Sequence, residues 1–581
     1  VIGISWLLRG LSDNGFPDVA YLLATQRTYP SWGYMAENGA TTIWELWNGD
    51  KADPKMNSGN HVMLLGDLLT WCYQYLGGIQ QQGVNVQQVA EADASVAYKH
   101  IVLKPAFSIQ NCESVKADYE TPYGVVKSQW KKTLQHVDWD ITVPCNTTAD
   151  VYLPDGKVET VGSGDYHYSV EIPTRDAAIL KDEFLYDYSG FPSAHASTIT
   201  QLKNGDLVAA YFGGTFERNP DVCIWVSRKP KGAKAWEKPI LAADGVYRLG
   251  TPEAKKAGLS GIDEKTTPAD KGPIKDGLRR FGVPAGYKYD FRSKSANIKL
   301  PANLKRKSCW NPVLYTMPDG EIWLFYKVGS TVGDWTGCLV KSKDGGKTWS
   351  DPEALPDGFL GPIKNKPEMV NGRLICGSST ENKGWRFHVE ILDLKTKKWK
   401  YVGPVDAELK PRTDDVDSAT VDMEHPIYKE GEKARYIYSI QPSILKLKDG
   451  RLQVLMRTHN AKLATSFSSD GGDTWTPVTL LDIENNQSGT DAVTLKDGRH
   501  VLIYNNFETL PGTKKGPRTP LSLAISDDGT HWRHLLTLED SPINQYSYPG
   551  IIEGKDGKLH CIYTWRRQRV AYKEVDLKKI K

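Results

Sequence analysis

The sequence predicts a multidomain, mainly β protein whose largest part is a six-bladed β-propeller, preceded by a β-sandwich and, at the N-terminus, by a helical segment. Three observations predict this fold class. A turn motif repeats along the C-terminal part of the chain, and the spacing of its copies suits propeller blades. A chain of 581 residues with 40% hydrophobic residues is also too long for one ordinary core, so we expect two or three domains.

The repeated turn reads Ser-x-Asp-Gly-Gly-x-Thr-Trp. It occurs at 342–349 and 468–475, with a shortened copy at 526–532. The Asp can accept hydrogen bonds from amides of its own turn, the glycines supply positive φ, and the Trp can fill the space between neighbouring sheets. Weaker versions end at Trp236 and Trp399. Units of roughly 50–60 residues are typical of propeller blades, and the region 184–581 has room for six.

Composition limits the partners. A net charge of +3 argues against a nucleic-acid partner, and the chain has no apolar run of about 18 residues that could span a membrane. A Lys-rich stretch between about 245 and 307 is interpreted as a solvated insertion, and its role, as a lid or as a disordered loop, is left undecided. The eight cysteines stand singly, without metal-ligand spacing, so we expect no metal and no cofactor.

The first domain, residues 1–79, is predicted to be helical. Asp18–Thr25 is short and amphipathic, and His61–Leu76 carries apolar residues at helical spacing before a Gly-Gly pair. Between them, Glu45 is flanked by Trp44 and Trp47. Aromatic rings stack on sugars and carboxylates bind hydroxyls, so this pattern suggests a sugar subsite. A tryptophan core with a surface glutamate is the alternative.

Two stretches of this segment, GATTIWELWNG and MNSGNHVMLLGDLLTWCYQYLGGI, resemble the closing helices of bacterial α-L-rhamnosidases with an (α/α)6 barrel. The resemblance implies that Glu45 is the general base and that Trp44 and His61 line the rhamnose pocket. The family's general acid lies in a motif that would precede Val1, so we expect this chain alone to lack rhamnosidase activity. The apolar start without a signal peptide suggests that Val1 is not the natural start, and we expect a periplasmic or secreted bacterial protein.

Residues 80–172 form the second predicted domain, followed by a linker at 173–183. Strand-like runs separated by turn residues predict a β-rich structure, and KPAF, YETPYGVVKSQW, VPCNTTADVYLPDG and GSGDYHYSVEI resemble the C-terminal β-sandwich of the same rhamnosidases. The predicted strands are Ile101–Leu103, Val125–Trp130, Val137–Val143 and Ala149–Leu153.

The third predicted domain, 184–581, resembles the sialidase (neuraminidase) superfamily of Asp-box, or BNR-repeat, propellers, and more closely a sialidase-like branch. The resemblance rests on stretches such as PSAHASTITQLKNGDLVAAYFGGT, QPSILKLKDGRLQVLMRT and YSYPGIIEGKDGKLHCIYTWRRQR. Strands are predicted in it at Asp206–Phe212, Glu321–Lys327, Leu452–Arg457 and Lys558–Trp565.

Sialidases hold a substrate carboxylate with three arginines, attack with a Tyr activated by a Glu, and use an Asp as acid and base. The resemblance implies that Arg457 and Arg518 are the second and third arginines, although both could form ordinary surface ion pairs. His195 stands at the position of the first arginine, and Gln441 at the position of the Glu. A satisfied core histidine is the alternative for His195.

The acid/base Asp is best matched by Asp221, with Glu217 close enough to compete. The nucleophile is Tyr546 or Tyr548, and the distance to the following turn favours Tyr548. In the alternative interpretation both tyrosines only pack. Because His195 can transfer protons and Gln441 cannot deprotonate a phenol, these two substitutions alter the mechanism expected from the family.

Three functions follow, all with a carbohydrate partner and with the oligomeric state left open. The first is an exo-acting glycoside hydrolase of sialidase type that removes a terminal acidic sugar. The second is a lyase for a glycan containing rhamnose and uronic acid, in which His195 and a tyrosine abstract the proton next to the carboxylate and the arginines stabilise the resulting charge. The third is a propeller that binds glycans without cleaving them.

Overall fold

The computed structural model describes residues 4–27, 29–53, 55, 58–81, 96–109, 112–133, 136–172, 176–186, 190–248, 278–279, 304–381, 385–407, 410–411, 434–435, 437–508 and 516–580. The chain divides into two compact units, Val1–Arg175 and Asp176–Lys581. The protein is mainly β, as the sequence predicts. Among the described residues, no helix combines the length and the apolar character needed to cross a bilayer. Most of the Lys-rich stretch predicted as an insertion lies outside these residues.

The described part of unit 1 begins with four short helices. Pro17 starts the second helix, where its fixed φ suits the first turn and its missing N–H is not needed. Trp32, Trp44 and Trp71 are buried in one apolar cluster between the helices. The helices are α1 Ile4–Asp13, α2 Pro17–Thr25, α3 Trp32–Glu37 and α4 Val62–Trp71, which continues as a π-helical turn at Cys72–Leu76.

Unit 1 continues with two four-stranded sheets, in the strand orders β1-β2-β6-β7 and β3-β4-β5-β8. Apolar side chains of both sheets, including Ile101 and Val151 of one and Trp130 and Trp139 of the other, share one core. This is the arrangement of a β-sandwich. The strands are β1 Ile79–Gln81, β2 His100–Leu103, β3 Ser114–Thr121, β4 Gly124–Lys132, β5 His136–Val143, β6 Thr148–Tyr152, β7 Val158–Val161 and β8 Gly164–Glu171.

Among the described residues of unit 2 there are six four-stranded antiparallel sheets. They are numbered here in chain order. Sheet 1 contains β10 Ser193–Gln201, β11 Leu207–Gly214, β12 Cys223–Lys229 and β13 Ile240–Ala243. Next come three strands of a small sheet, β14 Val246–Arg248, β15 Leu278–Arg279 and β16 Leu304–Arg306. Sheet 2 contains β17 Cys309–Thr316, β18 Ile322–Val328, β19 Thr336–Ser342 and β20 Glu353–Ala354.

The remaining sheets follow the same plan. Sheet 3 contains β21 Glu368–Val370, β22 Arg373–Thr380, β23 Arg386–Asp393 and β24 Trp399–Val402, and is followed by the pair β25 Lys410–Pro411 and β26 Ala434–Arg435. Sheet 4 contains β27 Ser439–Lys446, β28 Leu452–Thr458, β29 Lys462–Ser468 and β30 Thr479–Glu484. Sheet 5 contains β31 Asp491–Thr494, β32 His500–Tyr504, β33 Leu521–Ser526 and β34 Arg533–Glu539. Sheet 6 contains β35 Tyr546–Glu553, β36 Leu559–Trp565, β37 Arg569–Val575 and β9 Ile179–Phe184.

Contacts link the sheets in succession. β10 contacts both β17 and β35, and β31 contacts both β27 and β35, which joins sheets 2, 1, 6, 5 and 4. Lys327 in sheet 2 donates hydrogen bonds to the carbonyls of Pro362 and Ile363, just before sheet 3. Asn365 in the same segment donates to Ser443 Oγ in sheet 4 at 2.7 Å. The six sheets therefore form a closed series.

The last sheet is completed by a strand from the beginning of unit 2. β9 pairs antiparallel with β37, with Asp182 opposite Lys573. The structure differs here from the linker predicted at 173–183, because residues 179–183 are part of this strand. The pairing joins segments that are far apart in the sequence, so no local pattern indicates it.

Candidate active site

The first strands of four sheets carry the same irregularity near their N-terminal ends. In β10, β17, β27 and β35 the pairing register shifts, which marks a β-bulge. Each bulge contains one non-glycine residue with positive φ, namely Ala196 at 56°, Asn311 at 29°, Gln441 at 58° and Tyr548 at 50°. Bulges re-aim side chains next to functional sites. Here two of them bring Gln441 and Tyr548 into contact.

Tyr548 lies at the centre of a polar cluster. Arg457 Nη1 donates to the Tyr548 phenol oxygen at 2.7 Å and to Gln441 Oε1 at 3.1 Å, and Gln441 Nε2 lies 3.4 Å from the same phenol oxygen. The Arg457 guanidinium also stacks on the Trp385 ring at 4.5 Å. The guanidinium of Arg518 lies 5.3 Å from the centre of the Tyr548 ring. The structure thus brings four predicted site residues together.

His195 completes this cluster. Its ring lies 4.2 Å from that of Tyr548, and its Nδ1 lies 2.8 Å from Thr564 Oγ1, which also accepts a hydrogen bond from the Ala196 amide. Burial lowers the pKa of His195 well below its usual value, and the nearby cations, beginning with Arg567, act in the same direction. The imidazole is therefore neutral at neutral pH and does not pair with an anion as a permanent charge.

The second strands supply two of these partners from equivalent positions. Arg457 pairs with Ile440 on β27, and Thr564 pairs with Ser547 on β35, in each case one residue before the bulged residue. One side chain holds the phenol of Tyr548 and the other holds the imidazole of His195. Equivalent positions in two different sheets therefore supply side chains to the same cluster.

The cluster is strongly cationic. Burial lowers the pKa of Arg518 to about 10, so it keeps its charge at neutral pH. Burial also lowers the pKa of Lys364 to about 7, an effect that Asp491 opposes and Lys366 increases. Lys364 Nζ donates to the carbonyls of Thr490 and Pro549, which ties the segment before sheet 3 to sheets 5 and 6. A cluster of several guanidinium groups suits a carboxylate.

The two candidate acids have different surroundings. Asp221 is fully buried, and its Oδ2 accepts hydrogen bonds from the amide and the hydroxyl of Thr215. Glu217 is partly exposed and forms an ion pair with Arg567 at 2.6 Å. Arg567 is one of the cations that lower the pKa of His195. Glu217 is therefore connected to the cluster through one arginine.

Tyr546, the other candidate nucleophile, points elsewhere. Its side chain is fully buried in the apolar cluster of sheets 5 and 6, and its phenol oxygen lies 3.4 Å from Arg566 Nη2. Tyr546 therefore packs, whereas Tyr548, two residues later, joins the polar cluster. The bulge between Ser547 and Gly550 shifts the register at this point.

In unit 1, the three residues predicted from the rhamnosidase resemblance lie close together in sequence and structure. The Glu45 carboxylate accepts a hydrogen bond from the Ser58 amide at 3.0 Å, and the His61 amide donates to the Ile43 carbonyl at 2.7 Å. Trp44 is 9% exposed and belongs to the helical core. Their roles in a rhamnose pocket stay a prediction.

Sequence reasoning missed several members of the cluster: Thr564, Trp385, Arg567 and Lys364. They lie outside the turn motif and have no fixed distance from it. One signal could have indicated the region. Asn311, Gln441 and Tyr548 each precede a proline early in a strand, at Pro312, Pro442 and Pro549.

No group of three or more His, Cys, Asp or Glu side chains in the described ranges is arranged to hold a metal ion.

Family models match three parts of the chain. Residues 1–76 match the bacterial alpha-L-rhamnosidase 6 hairpin glycosidase domain, and residues 83–174 match the bacterial alpha-L-rhamnosidase C-terminal domain. Residues 294–561 match the BNR repeat-like domain. The matches follow the order of the three domains predicted from the sequence.

Individual proteins match parts of the chain. An alpha-L-rhamnosidase of Streptomyces avermitilis is 34% identical over 158 residues, which are 26% of this chain and 14% of that protein. An anhydrosialidase of Macrobdella decora is 24% identical over 164 residues, which are 26% of this chain and 21% of that protein. The chain therefore spans about a seventh and a fifth of the lengths of these relatives.

Among solved structures, a sialidase of Streptococcus pneumoniae superposes with a TM-score of 0.44 at 15% identity, covering 81% of this chain and 90% of the sialidase. By the family matches, residues 1–76 and 83–174 are of the bacterial alpha-L-rhamnosidase type, and residues 294–561 are a BNR repeat-like domain.

Proposed function

We propose that unit 2 is a six-bladed β-propeller that cleaves the glycosidic bond of a terminal acidic sugar, as an exo-acting glycosidase of sialidase type. One observation carries this proposal: the phenol of Tyr548, the imidazole of His195 and the guanidinium groups of Arg457 and Arg518 meet in one cluster. The closed series of six sheets supports the propeller, with each sheet as a blade. In unit 1, the helices before residue 80 would be part of an (α/α)6 barrel.

The charges of the cluster favour an acidic substrate. Arg457 and Arg518 lie beside the half-buried phenol of Tyr548, and a carboxylate on the sugar would neutralise their charges while forming charge-assisted hydrogen bonds. Arg457 Nη1 already binds Gln441 and Tyr548, and its Nε is buried without a hydrogen-bond partner among the described residues. A substrate oxygen would supply that missing partner.

For hydrolysis, Tyr548 would attack or stabilise the anomeric centre. A nucleophilic phenol needs a base, and the amide of Gln441 cannot serve as one. The neutral imidazole of His195, packed against Tyr548, would take the phenol proton, and Arg457 would stabilise the resulting phenolate. Asp221 or Glu217, in its acid form, would protonate the leaving oxygen. Water would then break the bond between Tyr548 and the sugar, and the carboxylate would take a proton from that water. Glu217 is tied to the cluster by its ion pair with Arg567, which favours its carboxylate form, whereas Asp221 is fully buried.

Elimination is a second candidate, favoured by the neutral amide of Gln441 beside Tyr548 and by the neutral His195. In a uronic acid, His195 or Tyr548 would remove the proton next to the carboxylate. The electrons of that C–H bond would form a double bond as the neighbouring C–O bond breaks, and the leaving oxygen would take up a proton. Arg457 and Arg518 would stabilise the enolate-like charge that develops on the carboxylate during this step.

Product analysis tests the proposal. The protein is incubated with oligosaccharides that end in a sialic acid or contain rhamnose and a uronic acid, and the products are separated and weighed. Release of a saturated acidic sugar indicates hydrolysis, and an unsaturated, ultraviolet-absorbing uronide indicates elimination. Tyr548→Phe is the control that should release neither. Binding measured by calorimetry without any product would reject catalysis and leave a glycan-binding propeller.

A further inference from the structure

A short segment, residues 364–366, lies between β20 and β21 and has no regular secondary structure. Its three side chains are polar, and those of Lys364 and Asn365 are buried. Their hydrogen-bond partners belong to the first strands of sheets 4, 5 and 6 or to the residue directly before such a strand. Burying an ammonium group costs more than burying an apolar side chain of similar size. The hydrogen-bond donors of this segment, rather than its volume, are therefore what it supplies.

Lys364 holds the surroundings of Tyr548 at two points. Its Nζ donates to the carbonyl of Pro549, which directly follows Tyr548 in the bulge of β35, and to the carbonyl of Thr490 at 3.0 Å. The residue before Thr490 is Gly489, where a Cβ would lie 3.4 Å from the Tyr548 ring. Lys364 Nζ itself lies 5.8 Å from the centre of that ring. One ammonium group thus fixes both the backbone beside Tyr548 and the backbone that packs on its ring.

Asn365 holds the bulge of the neighbouring strand β27. Its Nδ2 donates to the Gln441 carbonyl at 2.9 Å and to Ser443 Oγ at 2.7 Å. The register between β27 and β28 shifts between Ile440 and Ser443, so both acceptors lie in the irregular part of the strand. Gln441 has a positive φ of 58°, a conformation that a non-glycine residue keeps only where its surroundings hold it. The amide of Asn365 supplies part of that support.

Lys366 links the two bulges through Asp491, the first residue of β31. The Lys366 ammonium pairs with the Asp491 carboxylate at 3.0 Å. The same carboxylate accepts hydrogen bonds from Ser443 Oγ at 3.2 Å and from the Ile551 amide at 2.9 Å. Ser443 lies at the end of the bulge in β27, and Ile551 lies just after the bulge in β35. The spacing of the two bulges is therefore fixed by groups that the 364–366 segment binds.

We propose that Lys364 is a positioning residue that fixes the phenol of Tyr548 beside Arg457 for the reaction. Asn365 fixes the side-chain amide of Gln441 in the same way. The inference rests on the proposed function of the Tyr548 cluster and deepens it, because it adds residues that act without touching the sugar. The described hydrogen bonds of both side chains go to the bulged strands and to the segment before β31, not to Arg457, so binding of the carboxylate should be spared.

Steady-state kinetics on the acidic oligosaccharide that the wild-type chain cleaves test this inference. Lys364→Met keeps an apolar stem and removes the donors. It should lower kcat about tenfold or more, because displacing a reacting group by about 1 Å can cost about 100-fold, and it should change KM less than about threefold. An unchanged kcat, or a loss that lies in KM alone, would overturn the inference.

Lys327→Met is the matched control. Lys327 is fully buried, burial lowers its pKa to about 7 as it does that of Lys364, and its Nζ donates to the carbonyls of Asn311, Pro362 and Ile363. These acceptors lie outside the bulges of β27 and β35, so kcat should stay within about twofold of the wild-type value. A loss of kcat in Lys327→Met equal to that in Lys364→Met would mean that removing any buried lysine has this effect, which overturns the inference.

Crystal structures separate this inference from the proposed function. If the wild-type chain cleaves no acidic oligosaccharide, the proposed function fails, and crystal structures of the wild-type, Lys364→Met and Lys327→Met chains decide the inference alone. The 2.7 Å bond between Arg457 Nη1 and the Tyr548 phenol oxygen should be lost in Lys364→Met and kept in Lys327→Met. Retention of this bond in Lys364→Met overturns the inference.

A second variant covers a failure of Lys364→Met to fold, which circular dichroism detects. Asn365→Leu has a similar volume and loses both donors, so the 3.1 Å bond between Arg457 Nη1 and Gln441 Oε1 should be lost in its crystal structure. Retention of that bond would overturn the inference. Failure of both variants to fold would overturn it as well, because the segment would then serve the fold as a whole.

Discussion

A buried imidazole packs against a phenol in the polar cluster of unit 2. His195 is neutral because burial and several cations oppose its protonation, and Thr564 fixes its ring. Sequence reasoning identified His195, Gln441, Arg457, Arg518 and Tyr548 from their positions in a family pattern, and the structure brings these five together. It could not identify Thr564 or Arg567, because their contacts depend on strand register across the whole unit.

Replacing His195 should remove the proton acceptor. We expect His195→Ala to lower kcat/KM on an acidic glycan by at least about 100-fold, the lower range for general acid–base catalysis. His195→Gln keeps a hydrogen-bonding group for Thr564 and should fail equally if proton transfer is what matters. Steady-state kinetics measure both variants. Retention of most activity in His195→Ala would exclude the histidine from the mechanism.

The lowered pKa of His195 predicts how kcat/KM depends on pH. A depressed pKa keeps the imidazole in its neutral, proton-accepting form well below pH 6.5, so the acidic limb of kcat/KM should lie below that value. A pH profile of the wild-type chain measures it. Lys364, whose pKa is about 7, is the control, because a limb near pH 7 that disappears in Lys364→Met belongs to the lysine. A limb at pH 6.5 that disappears in His195→Gln would contradict the assignment.

Arg457 should discriminate between charged and uncharged substrates. Arg457→Lys keeps the charge but loses the planar fork that binds a carboxylate through two bonds. We expect a loss of about tenfold or more in kcat/KM for a substrate with a carboxylate, and a smaller loss for its esterified or reduced analogue. Competition assays with both substrates measure the ratio. Equal losses would reject carboxylate recognition at this position.

At the scale of elements, the repeated turns and the strands beside them were predictable, but the bulges were not. Asp470 accepts hydrogen bonds from the Thr474 amide at 3.0 Å and from Ser468 Oγ at 2.9 Å, as the motif predicts. The predicted strand Leu452–Arg457 is observed as Leu452–Thr458. A bulge depends on the register of two strands, and this information is absent from the local sequence.

Asp470 should contribute to stability above its pKa. Burial opposes the shift, but hydrogen bonds from Thr474 and Ser468 lower its pKa to about 2, so its contribution is complete above about pH 4 and is lost as pH falls toward 2. We expect Asp470→Asn to lower the unfolding free energy by about 1 kcal/mol at pH 7 and by less at pH 3, a modest value because the turn is exposed.

Denaturant unfolding at the two pH values measures this effect. Asp473→Asn, on the same turn, is the matched control, since Asp473 binds Arg373 and Lys400 instead of the turn amides. Its effect should shrink in high salt, whereas that of Asp470→Asn should persist. A pH-independent effect of Asp470→Asn would contradict the linkage.

At the scale of the whole molecule, β9, the first strand of unit 2, completes the last sheet of the same unit. Ile179 and Ala178 are buried in the apolar cluster of the last two sheets, and Asp182 pairs with the buried Lys573. A series of similar sheets was predictable from the repeated turns. The closing strand was not, since the sequence near 179 carries no copy of the turn.

Removing the closing strand should destabilise unit 2. A chain that begins at Asp176 keeps β9 and should unfold at the temperature of unit 2 in the full chain. A chain that begins at Tyr186 lacks β9 and loses the buried side chain of Ile179 and the ion pair between Asp182 and Lys573, which should cost at least about 2 kcal/mol. Scanning calorimetry of both chains measures the difference. Equal stability of the two would mean that β9 adds nothing to the last sheet.

The four left-handed positions at Ala196, Asn311, Gln441 and Tyr548 have a consequence for how such a molecule can change. At each position the bulge fixes the backbone, so a substitution there changes the side chain that is presented without changing the strand pairing. Glycine and unbranched residues can adopt the positive φ, whereas valine or isoleucine would strain the backbone. Single substitutions at these positions can therefore change specificity, but only among the residue types that tolerate a positive φ.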